Sequence, residues 1–366
     1  METKTKTRTK TPSLKAGAFT AMQLPAINFQ HISSLTDLTG IIQHAVFAMP
    51  NRKEGYCIDD NARALLLAVW AGNDKKKQQA SQYLSVYLSF IHYMQNSDGY
   101  FRNFISYSKV AHEDRGSEDS FGRTLMALGF MVNDCRVPLL TKTAIDIFSK
   151  AYPHASKLVS LRGIANSIIG ICQFVKYNYP DDLKSNTVTM LSNKMVSMYQ
   201  ENKRDDWHWF EPILTYDNAM LPLALLNAYE ITQQEDYLET AFEAMSFLES
   251  KVFVNGILRP IGNEGWLERG GKAAAKFDQQ GIDAMAMVLY YQQAFRITRE
   301  AKYQELMYKS YQWFLGANDL GLPLYDPSTG GCADGLHSTG INLNQGAEST
   351  LAYWISHLVV AATLEE

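Results

Sequence analysis

The sequence predicts an all-α chain in which six pairs of helices, one buried and one surface helix per pair, close into a toroid with a few short strands in its rim loops. Three observations carry this. Apolar residues recur at helical spacing along nearly the whole chain, with few candidate strands. Six segments share one style, a polar or acidic cluster running straight into small and apolar residues. Six other helical segments lie between them, apolar on one stripe and rich in Lys, Glu and Gln on the other. With 366 residues and 46% hydrophobic content, the chain can bury one large core and is not disordered.

In chain order, METKTKTRTKTPSLKAG is polar and basic with no apolar run after it. It reads as part of a flexible tail over 1–29 and not as a secretion signal, so one domain over 30–366 and a cytoplasmic location are expected. The first pair joins a surface helix near 35–48 to IDDNARALLLAVWAG. The second joins 76–95, through the extended stub SDGYFRNFI, to SEDSFGRTLMALGFMV. The third joins 138–155 to RGIANSIIGICQFVKY, and the fourth joins 184–201 to TYDNAMLPLALLNAYE. The fifth runs from 235–252 through VNGILRPIG to QGIDAMAMVLYYQQAF, and the sixth from 302–316 through DLGLPLYDP to QGAESTLAYWISHLVVAA. Each stub is a glycine turn followed by a short strand. Small residues let the second helix of each pair approach its neighbours closely, so these six form the inner ring. All loops that lead into inner helices then open at one end, and their polar clusters converge on one funnel.

Those loops are acidic and aromatic. The first carries Tyr56, Asp59, Asp60 and Asn61; the second carries His112, Glu113, Asp114, Glu118, Asp119 and Arg123. The fourth carries Trp207, His208, Trp209, Glu211, Tyr216 and Asp217; the fifth adds Trp266, Asp278 and Asp283; the sixth adds Asp334, His337, Gln345 and Glu348. Carboxylates with exposed tryptophans in a concave site suit sugar chemistry. One carboxylic acid protonates a glycosidic oxygen, a second carboxylate activates water, and aromatic faces stack on pyranose rings. Asp or Glu at an inner-helix start is equally a good helix cap. Capping does not account for the doubled acids Asp59-Asp60 and Glu118-Asp119, each followed within a turn by Arg63 or Arg123. Nor does it account for two tryptophans beside His208 in DDWHWFE.

The remaining features exclude several classes. A formal charge of −4 and the lack of a basic stripe beyond KKK at 75–77 argue against nucleic acid. Four scattered cysteines without CxxC or a His/Cys cluster argue against a disulfide framework and a structural metal. No apolar run reaches the roughly 18 residues needed to span a bilayer. The glycine-rich GGCADGLHSTG and ERGGKAAAK lack phosphate-loop context, so no cofactor is expected.

DDNARALLLA, EDSFGRTLMALG and NQGAESTLAYW, within a span of about 30–363, resemble a bacterial family of the six-hairpin (α/α)6 toroid glycosidase superfamily. That family accompanies glycosyltransferases and mannoside phosphorylases, which implies a functional link to such enzymes. The resulting expectation is a glycoside hydrolase cleaving a short mannose- or glucose-containing oligosaccharide, inverting, with Asp60 and Asp119 as its acid and base and Glu211 as the reserve acid. Asp59 and Glu118 are expected to hold hydroxyls or raise the acid's pKa, and Arg63 and Arg123 to orient carboxylates. Trp207, Trp209 and Trp266 are expected to form the sugar platform, with Asn61, Tyr216, Asp217, His337, Gln345 and Glu348 as further substrate contacts. Two alternatives stand beside this. A sugar epimerase or isomerase would need histidine bases in the inner layer. A non-catalytic sugar-binding partner of a glycosyltransferase would show a closed or shallow funnel with every acid paired to arginine.

Overall fold

A computed structural model describes residues 24–72, 81–177 and 181–365. The six inner helices are α2 (Ile58–Gly72), α4 (Glu118–Asp134), α6 (Leu161–Tyr177), α8 (Met220–Thr232), α10 (Gly281–Thr298) and α12 (Ala347–Glu365). Each packs on the next, and α12 packs back on α2, which closes the ring. Outside them lie α1 (Gln30–Leu35), α3 (Leu84–Met94), α5 (Pro138–Ala151), α7 (Asp182–Asn202), α9 (Glu235–Val252) and α11 (Ala301–Gln312).

The inner ring is tight because its facing residues are small. A Cβ on Gly129 would lie 2.1 Å from the Gly170 carbonyl, and one on Gly122 would lie 2.3 Å from that of Gly163. Helices α4 and α6 therefore touch backbone to backbone, a contact that only glycine permits. Aromatic pairs pack against α12: Tyr325 stacks on Tyr353, and Trp354 meets Phe29 edge-on.

Among the described residues, six antiparallel two-stranded ladders decorate the rim. Two of them join neighbouring inner-helix loops: 56–57 with 104–105, and 213–214 with 267–268. A bridge between Gln279 and Leu336 ties the loops before α10 and α12 together.

The first surface helix departs from expectation. Instead of running over 35–48, it spans Gln30–Leu35, and residues 45–46 and 49–50 form a hairpin. The Asp37 carboxylate accepts hydrogen bonds from the backbone N–H of Thr39 and Gly40, a local turn that competes with helix. The second, expected over 76–95, is shorter: residues 81–83 form a 3-10 turn before α3, and 73–80, with the KKK run, lie outside the described residues. Most of the expected tail also lies outside them, but its last part does not float. Leu24 and Ile27 pack on the core and Phe29 is buried, so the core takes in residues before 30.

Candidate active site

The inner helices all begin at one end of the ring, and there they surround a funnel of about 1070 Å³. Aligned helix N-termini carry partial positive charge, which favours the carboxylates that the sequence places in their first turns. From α2 come Asp59, Asp60 and Arg63; from α4, Glu118, Asp119 and Arg123; from the α6 entry, Ser160; from the α8 entry, Tyr216; from the α10 entry, Trp266 and Asp278; and from α12 and its loop, Asp334, His337 and Glu348. Gln43, His44, Cys57, Asn263 and Asn342 are among the further polar lining residues.

Three networks hold the acids. In the first, the buried Arg63 guanidinium donates to Asp60 Oδ1 and to Glu348 Oε2, each at 2.9 Å. Asp60 is itself buried, and its Oδ2 accepts from the Cys57 thiol at 3.0 Å. Burial pushes the Asp60 carboxyl up to about 6, opposed by Arg63 and reinforced by Glu348. Burial and the Asp60 charge keep the Cys57 thiol well above the usual thiol range, so it stays a donor. Glu348 is the open member of this group, with 42% of its side chain exposed.

The second network runs inward. Arg123 bridges Asp59 and Asp217, the latter at 3.2 Å, and the backbone N–H of Asp217 donates to Asp283 Oδ1 at 2.8 Å. Burial opposes the charge on Arg123, but Asp59 and Asp217 outweigh it and hold the guanidinium protonated. One cation thus serves two acids, and the third is held by a backbone N–H. Burial raises both Asp217 and Asp283, and Asp217 pushes Asp283 up further, so Asp283 is the one kept neutral.

The third network centres on Asp119, which accepts from the hydroxyls of Ser160 and, at 2.5 Å, Tyr216. Burial and the adjacent Asp119 raise the Tyr216 phenol, so it too remains a donor. Arg162 lies over the Tyr216 ring at 4.6 Å and fixes its loop by donating to the Tyr216 carbonyl at 2.7 Å.

Several expected contacts lie elsewhere. Trp207 is buried, with its Nε1 donating to the Glu211 carbonyl at 2.7 Å and its ring edge-on to Phe247. Trp209 is wholly buried and packs edge-on to Phe210. Neither lines the funnel; Phe247 of α9 packs against both. Glu211 pairs with Arg162 at 2.9 Å, away from the funnel lining. Asn61 is a core residue: its Oδ1 accepts from Ile41 N and its Nδ2 donates to the Cys57 carbonyl, pinning the turn before α2. Gln345 braces the last rim loop through Thr329 and Asp326. Asp217 lies beneath the lining as the inner partner of Arg123. Glu118 does line the funnel, but its Oε2 accepts from the backbone N–H of Val159 at 2.7 Å and Ser160 at 2.5 Å, capping the entry to α6.

Other lining residues escaped the sequence reading. Asp278 and Asp334 were visible only as members of acidic loops. Asp278 pairs with His337 Nδ1 at 2.5 Å, while Asp334 accepts from Ser349 Oγ and Gly346 N. Gln43 and His44 fell inside the first surface helix as read from the sequence, and Ser160 carried no signal. Among the described residues, no His/Cys/Asp/Glu cluster is placed to hold a metal ion, and no helix is long and apolar enough to cross a membrane.

No family model and no curated protein matches the chain. Solved structures do. The cellobiose 2-epimerase of Bacillus thermoamylovorans superposes with TM-score 0.72 at 10% identity, over 93% of this chain and 96% of that one. A family 76 α-mannanase from Bacteroides thetaiotaomicron gives 0.61 at 12% identity, over 91% and 94%. The cellulase Cel9M of C. cellulolyticum gives 0.59 at 10%, over 90% and 89%. At these identities the likeness carries the fold and not the reaction. The chain is a six-hairpin (α/α)6 toroid, an architecture it shares with sugar epimerases and glycoside hydrolases alike.

Proposed function

We propose that this toroid is a carbohydrate-active enzyme, specifically a glycoside hydrolase that cleaves a neutral, mannose- or glucose-containing oligosaccharide. The observation that carries the reading is Asp60, a buried carboxyl raised to about 6 on a funnel that also holds the carboxylate of Asp119. An acid with a raised pKa and a second carboxylate are the two groups that glycosidic cleavage requires.

In this reading Asp60 gives its proton to the glycosidic oxygen as the C1–O bond breaks, and Arg63 stabilises the carboxylate left behind. Asp119, held by two hydroxyls, takes a proton from the water whose oxygen bonds to C1. Proton exchange with solvent then resets both. The acids around the funnel favour the positive charge that develops on the sugar ring. Both of its arginines are already committed to acids, which leaves no free guanidinium for a phosphate or uronate, so a neutral glycan fits. A volume of about 1070 Å³ lies at the top of the range for small-molecule sites and supports an oligosaccharide. Trp266 supplies the stacking face. An open funnel, with Asp119 held by hydroxyls and not by arginine, speaks for catalysis over a binding module. A cytoplasmic setting beside a glycosyltransferase or glycoside phosphorylase completes the proposal.

One observation favours epimerisation as the second reading. His337, held at Nδ1 by Asp278, and His44 both line the funnel, and a carboxylate-held imidazole suits proton removal at C2 of a reducing sugar. Incubation with manno- and gluco-oligosaccharides in D2O distinguishes the two. Release of new reducing ends without deuterium at C2 supports hydrolysis, and deuterium at C2 without chain shortening replaces it with epimerisation.

A further inference from the structure

Close to the funnel, but outside its lining, stands an aromatic side chain that the mechanism above does not use. Phe47 sits at the tip of the hairpin formed by 45–46 and 49–50, with φ at 52°. That left-handed region is costly for a bulky side chain and open to glycine. Two hydrogen bonds hold Phe47 in it: its N–H donates to Asn344 Oδ1 and its carbonyl accepts from Gln345 N, both at 2.9 Å. Strain in a buried aromatic is offset by packing, but Phe47 is 62% exposed. Among the described residues the other aromatic at positive φ is Trp266, at 50°, which lines the funnel. The hairpin is continuous with that lining, since His44 on one side and Asn342 and Gly346 on the other belong to it.

We propose that Phe47 is an outer sugar subsite, a stacking platform for a distal pyranose unit of a glycan whose reacting end lies at Asp60. The inference rests on the saccharide reading of the funnel. The apolar ring face matches the apolar face of a pyranose. Gln43, His44 and Asn342 of the adjoining lining offer partners for sugar hydroxyls, and the exposed Val46 and Met49 of the same hairpin extend its apolar surface.

The test is calorimetric binding of manno- and gluco-oligosaccharides of one to five units to the full chain at pH 8, above the Asp60 titration, so that turnover does not consume the ligand. Phe47→Ala is expected to weaken binding of the longer members about three- to tenfold, the range of one aromatic contact, and to leave mono- and disaccharides unchanged. Phe47→Trp should retain the long-chain advantage. Phe47→Gly should weaken long chains while raising the melting temperature, because it relieves the backbone. Equal loss at every length, or no loss at any length, overturns the subsite. A shift in sedimentation with unchanged binding also overturns it, in favour of contact between two copies. Binding with the expected length dependence, but no chain shortening when the same glycans are incubated below pH 6, leaves the subsite standing and removes the hydrolytic reading. Absence of binding by the wild type to every member overturns the saccharide reading and the subsite together.

Discussion

Asp60→Asn tests the proposed acid without knowledge of the substrate. Burial raises this carboxyl from 3.8 to about 6. Between those values the folded chain keeps a proton that the unfolded chain has released, so stability falls as pH rises through the window. The contribution is complete below 3.8 and lost above about 6. A shift of about 2 units at about 1.4 kcal/mol per unit amounts to about 3 kcal/mol. Asparagine does not titrate, so the stability of the variant relative to wild type should rise by about 3 kcal/mol between pH 4 and pH 7. At about 2 cal/mol/K per residue, a chain of 366 residues has an unfolding entropy of about 0.8 kcal/mol/K, which translates the gain into about 4 °C. Thermal unfolding of both proteins at half-unit pH steps reads this difference. A difference that stays flat or shrinks as pH rises refutes the raised pKa and removes Asp60 as the acid. With a cleavable glycan in hand, wild-type turnover should fall above pH about 6, and the variant should be about 10²- to 10⁴-fold slower throughout.

Three further outcomes follow from the geometry. Gly129→Ala places a Cβ 2.1 Å from the Gly170 carbonyl, so it should cost at least about 1–3 kcal/mol in denaturant unfolding as α4 and α6 are forced apart. Arg123→Met leaves Asp59 and Asp217 without their shared cation and should cost about 3–5 kcal/mol at pH 7, with part of the loss recovered at acid pH where Asp217, raised by burial, protonates. Trp209→Ala and Trp266→Ala should part company: the first, in the core, loses about 3–5 kcal/mol of stability, while the second keeps its melting temperature and loses glycan affinity, as calorimetry would show.

The helical architecture was legible because its signals are local. IDDNARALLLAVWAG is α2 residue for residue, and the helix expected over 235–252 is α9 with the same bounds. Glycine and alanine at helical spacing mark the inner ring in the sequence alone. The doubled acids with a following arginine also carried real information, since Asp59, Asp60, Arg63, Asp119 and Arg123 meet at one funnel. What the pattern hid was which oxygen answers which donor. Asp60 takes the arginine of its own helix, whereas Asp59, one residue earlier, takes that of α4.

The sequence by itself determined the ring of helix pairs and the end at which their acidic starts converge, because side-chain period and turn chemistry act over a few residues. Tertiary structure decided which aromatics the funnel receives. Trp207 and Trp209 looked exposed in a polar loop, yet Phe247 of α9 and the Arg162 staple turn that loop inward. Phe104, Tyr216 and Trp266 line the funnel instead. A loop without period has no preferred face of its own, so partners distant in sequence choose what it buries and what it shows.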